Sequence, residues 1–143
     1  MNKQLFAAFV LFFFTINTGA QQNPSMIPQH RIIMQLSSND TLVWKGLMNN
    51  LRNLKAGWGD SVAIEVVVHG PGLDLLTRNK TTQQGQITQF KKAGISFQAC
   101  ENSMLERKVP KEAMIAEAGY VKMAMAEIVR KQEEGWSYIK IGF

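Results

Sequence analysis

Seven consecutive residues, Val62-Ala63-Ile64-Glu65-Val66-Val67-Val68, are apolar but for one and mostly β-branched. A strand with one wet face alternates polar and apolar residues. This one does not, so both of its faces must be covered, the condition of a strand inside a parallel sheet. Parallel neighbours cannot be joined by a hairpin and need crossover connections. The flanking sequence supplies them. Ile32-Ile33-Met34-Gln35-Leu36 reads as a first buried strand, and Ser37-Ser38-Asn39-Asp40 as a loop ending in a helix cap. Val43, Leu47, Leu51 and Leu54 recur at helical spacing, and Gly57 predicts the helix end.

Beyond the central run, His69-Gly70-Pro71-Gly72 reads as a turn. A short apolar helix through Leu73, Leu75 and Leu76 is expected next, then a helix carrying Ile87 and Phe90 up to Gly94. Ile95-Ser96-Phe97-Gln98-Ala99 alternates as a third strand and delivers Cys100 at its C-terminal end. A helical turn from Glu101, a short helix opened by Pro110, and a brief strand at Gly119-Tyr120-Val121 follow. Val121, Met125, Ile128 and Val129 mark the expected buried side of a helix ending at Gly135, before a last strand from Trp136 to Ile141. The predicted fold is α/β, a three-layer α/β/α sandwich around a mostly parallel sheet of about five strands. In such sheets ligands bind beyond the carboxyl ends of the strands. That rim collects the loops Ser37 to Asp40, His69 to Gly72 and Cys100 to Met104.

The N-terminus reads differently. Lys3 precedes an apolar stretch from Leu5 to Ile16, and Thr18-Gly19-Ala20 are small residues before Gln21. This is the pattern of a secretory signal peptide over residues 1–20, too short to serve as a membrane anchor. Residues 21–29, with Pro24 and Pro28, read as a tether, and residues 30–143 as one domain. Removing Lys3 from the 16 basic residues leaves 15 against 11 acidic, a formal +4 on the processed chain. The basic residues come in scattered pairs such as Lys91-Lys92 and Arg130-Lys131, so a nucleic-acid footprint is not expected.

Exported proteins use cysteines in pairs, yet Cys100 is alone. Such a thiol is buried and inert, reactive, or paired with another chain. Its place after a strand and before a helical turn, near unpaired backbone N–H groups, favours the nucleophilic thiolate. His69, at the end of the preceding strand, is a candidate base or thiolate partner, against the plainer reading of a ring that caps its loop. Two histidines and one cysteine, with His30 at the far end of its strand, do not make a metal site. Gly70-Pro71-Gly72 lacks the spacing of a phosphate-binding loop. Met114, Met123 and Met125 are expected to fill core or an oligomer face, and Trp58 to pack in the loop before the second strand.

Three segments carry a resemblance: Val67-Val68-His69-Gly70-Pro71-Gly72, Ala99-Cys100-Glu101-Asn102-Ser103-Met104, and Gln132-Glu133-Glu134-Gly135-Trp136-Ser137-Tyr138-Ile139-Lys140. In order and spacing they resemble the DsrE/DsrF-like family of small sulfur-handling proteins. The resemblance implies a three-layer α/β/α fold and assembly as trimers or hexamers. For sulfur-relay members it also implies a cysteine that carries sulfane sulfur as a persulfide. Carried over by position, Cys100 is that cysteine, with Asn102 and Ser103 as its loop partners. Glu101 stands where the family often has a small residue, and export separates this chain from relays that feed tRNA thiolation.

The expectation is therefore a periplasmic persulfide carrier or sulfurtransferase-like protein. Cys100 would be its nucleophile, His69 or loop amides such as that of Gly70 its stabilisers, and a sulfur donor or acceptor its partner. It would need no cofactor and no metal. The alternative is a non-catalytic ligand-binding or assembly module in which Cys100 only packs. A third is an intermolecular disulfide through Cys100.

Overall fold

The β-branched run becomes the middle strand of the sheet. A computed structural model describes residues 28–142, so the segment read as a signal peptide, and most of the tether, lies outside the described residues. Five strands, β1 (His30–Leu36), β2 (Val62–Val68), β3 (Ser96–Cys100), β4 (Gly119–Val121) and β5 (Ser137–Ile141), lie in the order β4-β3-β2-β1-β5. Every pairing is parallel. In β2 only Ala63 is less than buried, as a strand covered on both faces requires. Each fully buried valine there contributes roughly 2 kcal/mol of apolar burial.

Three connections step outward from β1 to β4, and one long return carries the chain back past β1 to β5. Right-handed crossovers place the helices of the outward steps on one face and that of the return on the other. The two cores follow this division. On the first face Ile32, Met34 and Leu36 of β1 and Val66 and Val68 of β2 pack with three helices: Leu47 and Leu51 from α1 (Thr41–Trp58), Ile87 from α2 (Gln84–Lys92) and Met104 from α3 (Glu101–Glu106). On the second face Ile33, Val67 and Cys100 pack with Ala124 and Ile128 of α4 (Ala124–Glu133). The second core is small: among the described residues α4 is the one helix packed on it, with Val121 and Trp136 partly buried at its margin.

Local chemistry explains the ends. Asp40 caps α1 by accepting the Leu42 N–H at 2.8 Å, and the Trp44 indole N–H binds Ser38 O at 2.9 Å, fastening the cap to the first helical turn. The helix runs through Gly57 and stops at Gly59, whose φ of 55° only glycine adopts readily. Trp58 is thus the last residue of α1, not part of a loop, and its ring stacks on His30 at 4.0 Å. The apolar Leu73 to Leu76 segment forms a 3-10 helix over Gly70–Leu76. Among the described residues no helix is long and apolar enough to cross a membrane.

Candidate functional site

Cys100 is the last residue of β3 and the N-cap of α3, but its sulfur does not cap its own helix. Sγ accepts the N–H of Ala124, the first residue of α4, at 3.3 Å. A backbone donor in the first turn of a ten-residue helix brings a partial positive charge to the sulfur. The same packing buries Cys100 to 4% exposure.

Beside it, Val68 pairs with Ala99, so the next position on each strand sets His69 alongside Cys100. Side chains alternate along a strand, and Val67 and Cys100 share the second face, so His69 falls on that face too. The His69 N–H continues the ladder to β1 by donating to Leu36 O at 3.1 Å. Its ring turns to β1 rather than to the thiol: Nε2 lies 2.7 Å from Gln35 Nε2. The Gln35 Oε1 in turn accepts the phenol O–H of Tyr138 on β5. Burial pushes the His69 pKa below its ordinary value, so the neutral ring is favoured.

The remaining expected residues hold the loops together. Ser103 Oγ, buried, accepts the Gly70 N–H at 3.0 Å and so ties the loop after β2 to α3. Gly70 itself sits at φ 51°. The Asn102 N–H donates to Lys122 O at 3.2 Å, joining α3 to the loop before α4. Asn102 also lines a groove of about 300 Å³ with Glu101, Leu105, Lys111 and Lys122. Glu101 does not face the sulfur. Its carboxylate pairs with the Lys111 ammonium at 2.7 Å, which holds its pKa below the usual carboxylate range. Among the described residues no group of three or more His, Cys, Asp or Glu could hold a metal ion.

Gln35 and Tyr138 were not among the expected site residues. The signal for Gln35 was available, since it is the polar exception in an apolar strand, at the strand's rim end. Tyr138 needed the pairing of β5 with β1, which no local pattern encodes.

The comparisons agree with this architecture. A structure from Methanobacterium thermoautotrophicum of a protein of unknown function is 30% identical, covers 78% of this chain and 98% of its own, and superposes with a TM-score of 0.74. A conserved protein of unknown function from Bacteroides thetaiotaomicron, 18% identical, covers 82% of this chain and 100% of its own at a TM-score of 0.61, a likeness of fold alone. No curated protein matches the chain. A sequence model of the DsrE/DsrF-like family matches residues 12–141, the span that holds every strand, both cores and the rim around Cys100, and the chain belongs to that family.

Proposed function

We propose that the protein is an exported, periplasmic persulfide carrier or sulfurtransferase that works through Cys100 and assembles as a homo-oligomer. The observation that carries this reading is the Ala124 N–H on Sγ, at the N-terminus of a helix. That N–H is a hydrogen-bond donor already aimed at the sulfur, and the thiolate is the form that attacks. In the reaction Cys100–S⁻ attacks the outer sulfur of a donor persulfide R–S–SH. The Cys100–S–SH bond forms and the donor S–S bond breaks. The electron pair leaves on R–S⁻, and the proton stays on the transferred sulfur. The sulfur changes carrier without a net oxidant or reductant, and neither metal nor cofactor takes part. Export rests on the signal-peptide pattern of residues 1–20, and oligomerisation on the family resemblance.

The 4% exposure of Cys100 favours the second reading, a ligand-binding or assembly module with a structural cysteine. Sulfur loading separates the two. The protein incubated with a small-molecule persulfide should gain one sulfur by intact mass, a gain that a reductant reverses. Cys100→Ser should gain none while melting within a few degrees of the parent. A Cys100→Ser variant that loads as well as the parent, or a parent that never loads, would leave the binding module as the better account.

A further inference from the structure

The sheet ends in two edge strands, β4 and β5, and they are not alike. The β4 edge is three residues long and carries the Lys111 ammonium 4.5 Å from the centre of its Tyr120 ring. Short edges guarded by a lysine resist added strands. The β5 edge is five residues long with a single charge, Lys140. All five residues pair with β1 in unbroken register, so no bulge bends the outer side away. Tyr138 is level with Ile33 of the second core and Ile139 with Met34 of the first, and each is 39% exposed, so apolar surface is left open on both faces. On the first face α1 joins β1 to β2 and packs over that pair, which leaves β5 at its flank. Ile139 accordingly borders three hollows of about 410, 570 and 320 Å³, whose other walls include Leu42, Asn50, Leu54 and Trp58 of α1.

We infer that β5 is a self-pairing edge, at which two copies of this chain join antiparallel about a two-fold axis at Ile139 and make one continuous sheet. This gives the homo-oligomer proposed above a specific interface, and it does not depend on the sulfur chemistry. The pattern of β5 itself selects a second copy as the occupant. A two-fold axis opposes residues equally distant from it. Centred on Ile139, it pairs all five residues: Ser137 with Ile141, Tyr138 with Lys140, and Ile139 with its own counterpart. On the second face each lysine ammonium then meets an aromatic ring, an attractive contact. On the first face the two Ile139 side chains lie side by side, with Cβ atoms about 5 Å apart. Other arrangements do worse. An axis at Lys140 sets like charges opposite each other, and one at Tyr138 leaves Lys140 and Ile141 without a partner in β5. Five paired residues make a small interface beside the roughly 1,600 Å² of a stable complex, so the association is reversible and depends on concentration.

The test reads mass in solution by light scattering, on protein isolated after expression of the full sequence, from about 1 μM to about 1 mM, the range of weak association. The expected result is a mass that rises with concentration to an even multiple of the chain. In Ile139→Lys, where like charges face each other across the axis, that rise should need at least about tenfold more protein. Register is read by disulfides in a Cys100→Ser background. Ile139→Cys should cross-link two copies on oxidation. Tyr138→Cys and Lys140→Cys should not, because their counterparts lie diagonally, beyond the roughly 7 Å between Cα atoms that a disulfide spans. Equal cross-linking at the three positions, an odd multiple of the chain, or an oligomer that Ile139→Lys leaves intact overturns β5 as the interface, while a homo-oligomer through another surface survives. A parent that stays monomeric overturns both. In such a monomer, an Ile139→Cys thiol shielded from alkylation would assign the strand to this chain's own N-terminal segment, and a reactive one would assign it to a different partner protein.

Discussion

At Gly72 a single hydrogen atom decides whether two rim loops can meet. A Cβ built there would lie 2.5 Å from Leu36 O and 3.2 Å from the Ser37 Cα, both backbone atoms that cannot rotate away. The contact presses the loop after β2 onto the end of β1, beside the bond from His69 N–H to Leu36 O. Gly72→Ala is therefore expected to cost about 3 kcal/mol, the upper range for overpacking a tight site, measured as a lower urea midpoint at unchanged slope. A loss below about 0.5 kcal/mol would place the loop further from β1 than described. The sequence gives reason to read Gly70-Pro71-Gly72 as a turn, and its first glycine does sit at positive φ. The duty of the second was hidden because it depends on the pairing of β1 with β2, a contact between segments some thirty residues apart.

Helix α4 shows how an apolar pattern can mislead by one position. Met125 and Val129 were expected inside with Ile128, yet they are 46% and 53% exposed, as is Met123 at 48%. The covered stripe is Ala124, Ile128 and Lys131, spaced four and three, and its last member is charged. Met114, by contrast, is buried as a core residue. Lys131 Nζ lies 3.2 Å from Glu65 Oε2 and 4.0 Å above the Trp136 ring, with side-chain exposures of 13% for the lysine and 8% for the glutamate. Glu65 was thus the informative exception in the β-branched run: a carboxylate on a central strand needs a cation, and a helical lysine supplies it. Burial pushes the Glu65 pKa up, opposed by Lys131, and Oε1 has no hydrogen-bond partner among the described residues. Removing the cation strands that carboxylate. Lys131→Met is expected to cost about 3 kcal/mol at pH 7.5. Because the folded Glu65 holds its proton to higher pH than the unfolded chain does, its protonated form is favoured below that raised pKa. The deficit of the variant must therefore shrink as pH falls toward 5, where a neutral Glu65 no longer needs a partner. Urea melts of parent and variant at the two pH values check this, and a deficit that grows on acidification would contradict the assignment.

For the whole molecule, the order β4-β3-β2-β1-β5 is what the local patterns do not contain. Strand-helix alternation foretells a parallel sheet and three loops on one rim, because those follow from periodicity and crossover rules. It does not foretell that the final strand returns beside β1, and so that Tyr138 meets Gln35. The same return path lays α4 over Cys100, which makes access to the thiol a property of how the layers hold together. Either α4 opens locally or the whole domain must unfold before a reagent reaches Sγ. The two routes respond differently to the same loss of stability. Asp40→Ala removes the cap of α1 on the opposite face and should cost about 1 kcal/mol. If alkylation of Cys100 requires global unfolding, that loss raises its rate about fivefold. We expect local opening instead, since α4 is fastened through the Lys131 pair and covers a small core. Alkylation near pH 7.5 should then be unchanged in Asp40→Ala and accelerated at least about tenfold in Lys131→Met, where the fastening itself is lost. Equal acceleration per unit of lost stability in both variants would mean that the layers open only together, and that a sulfur donor could not reach Cys100 in the folded chain as described.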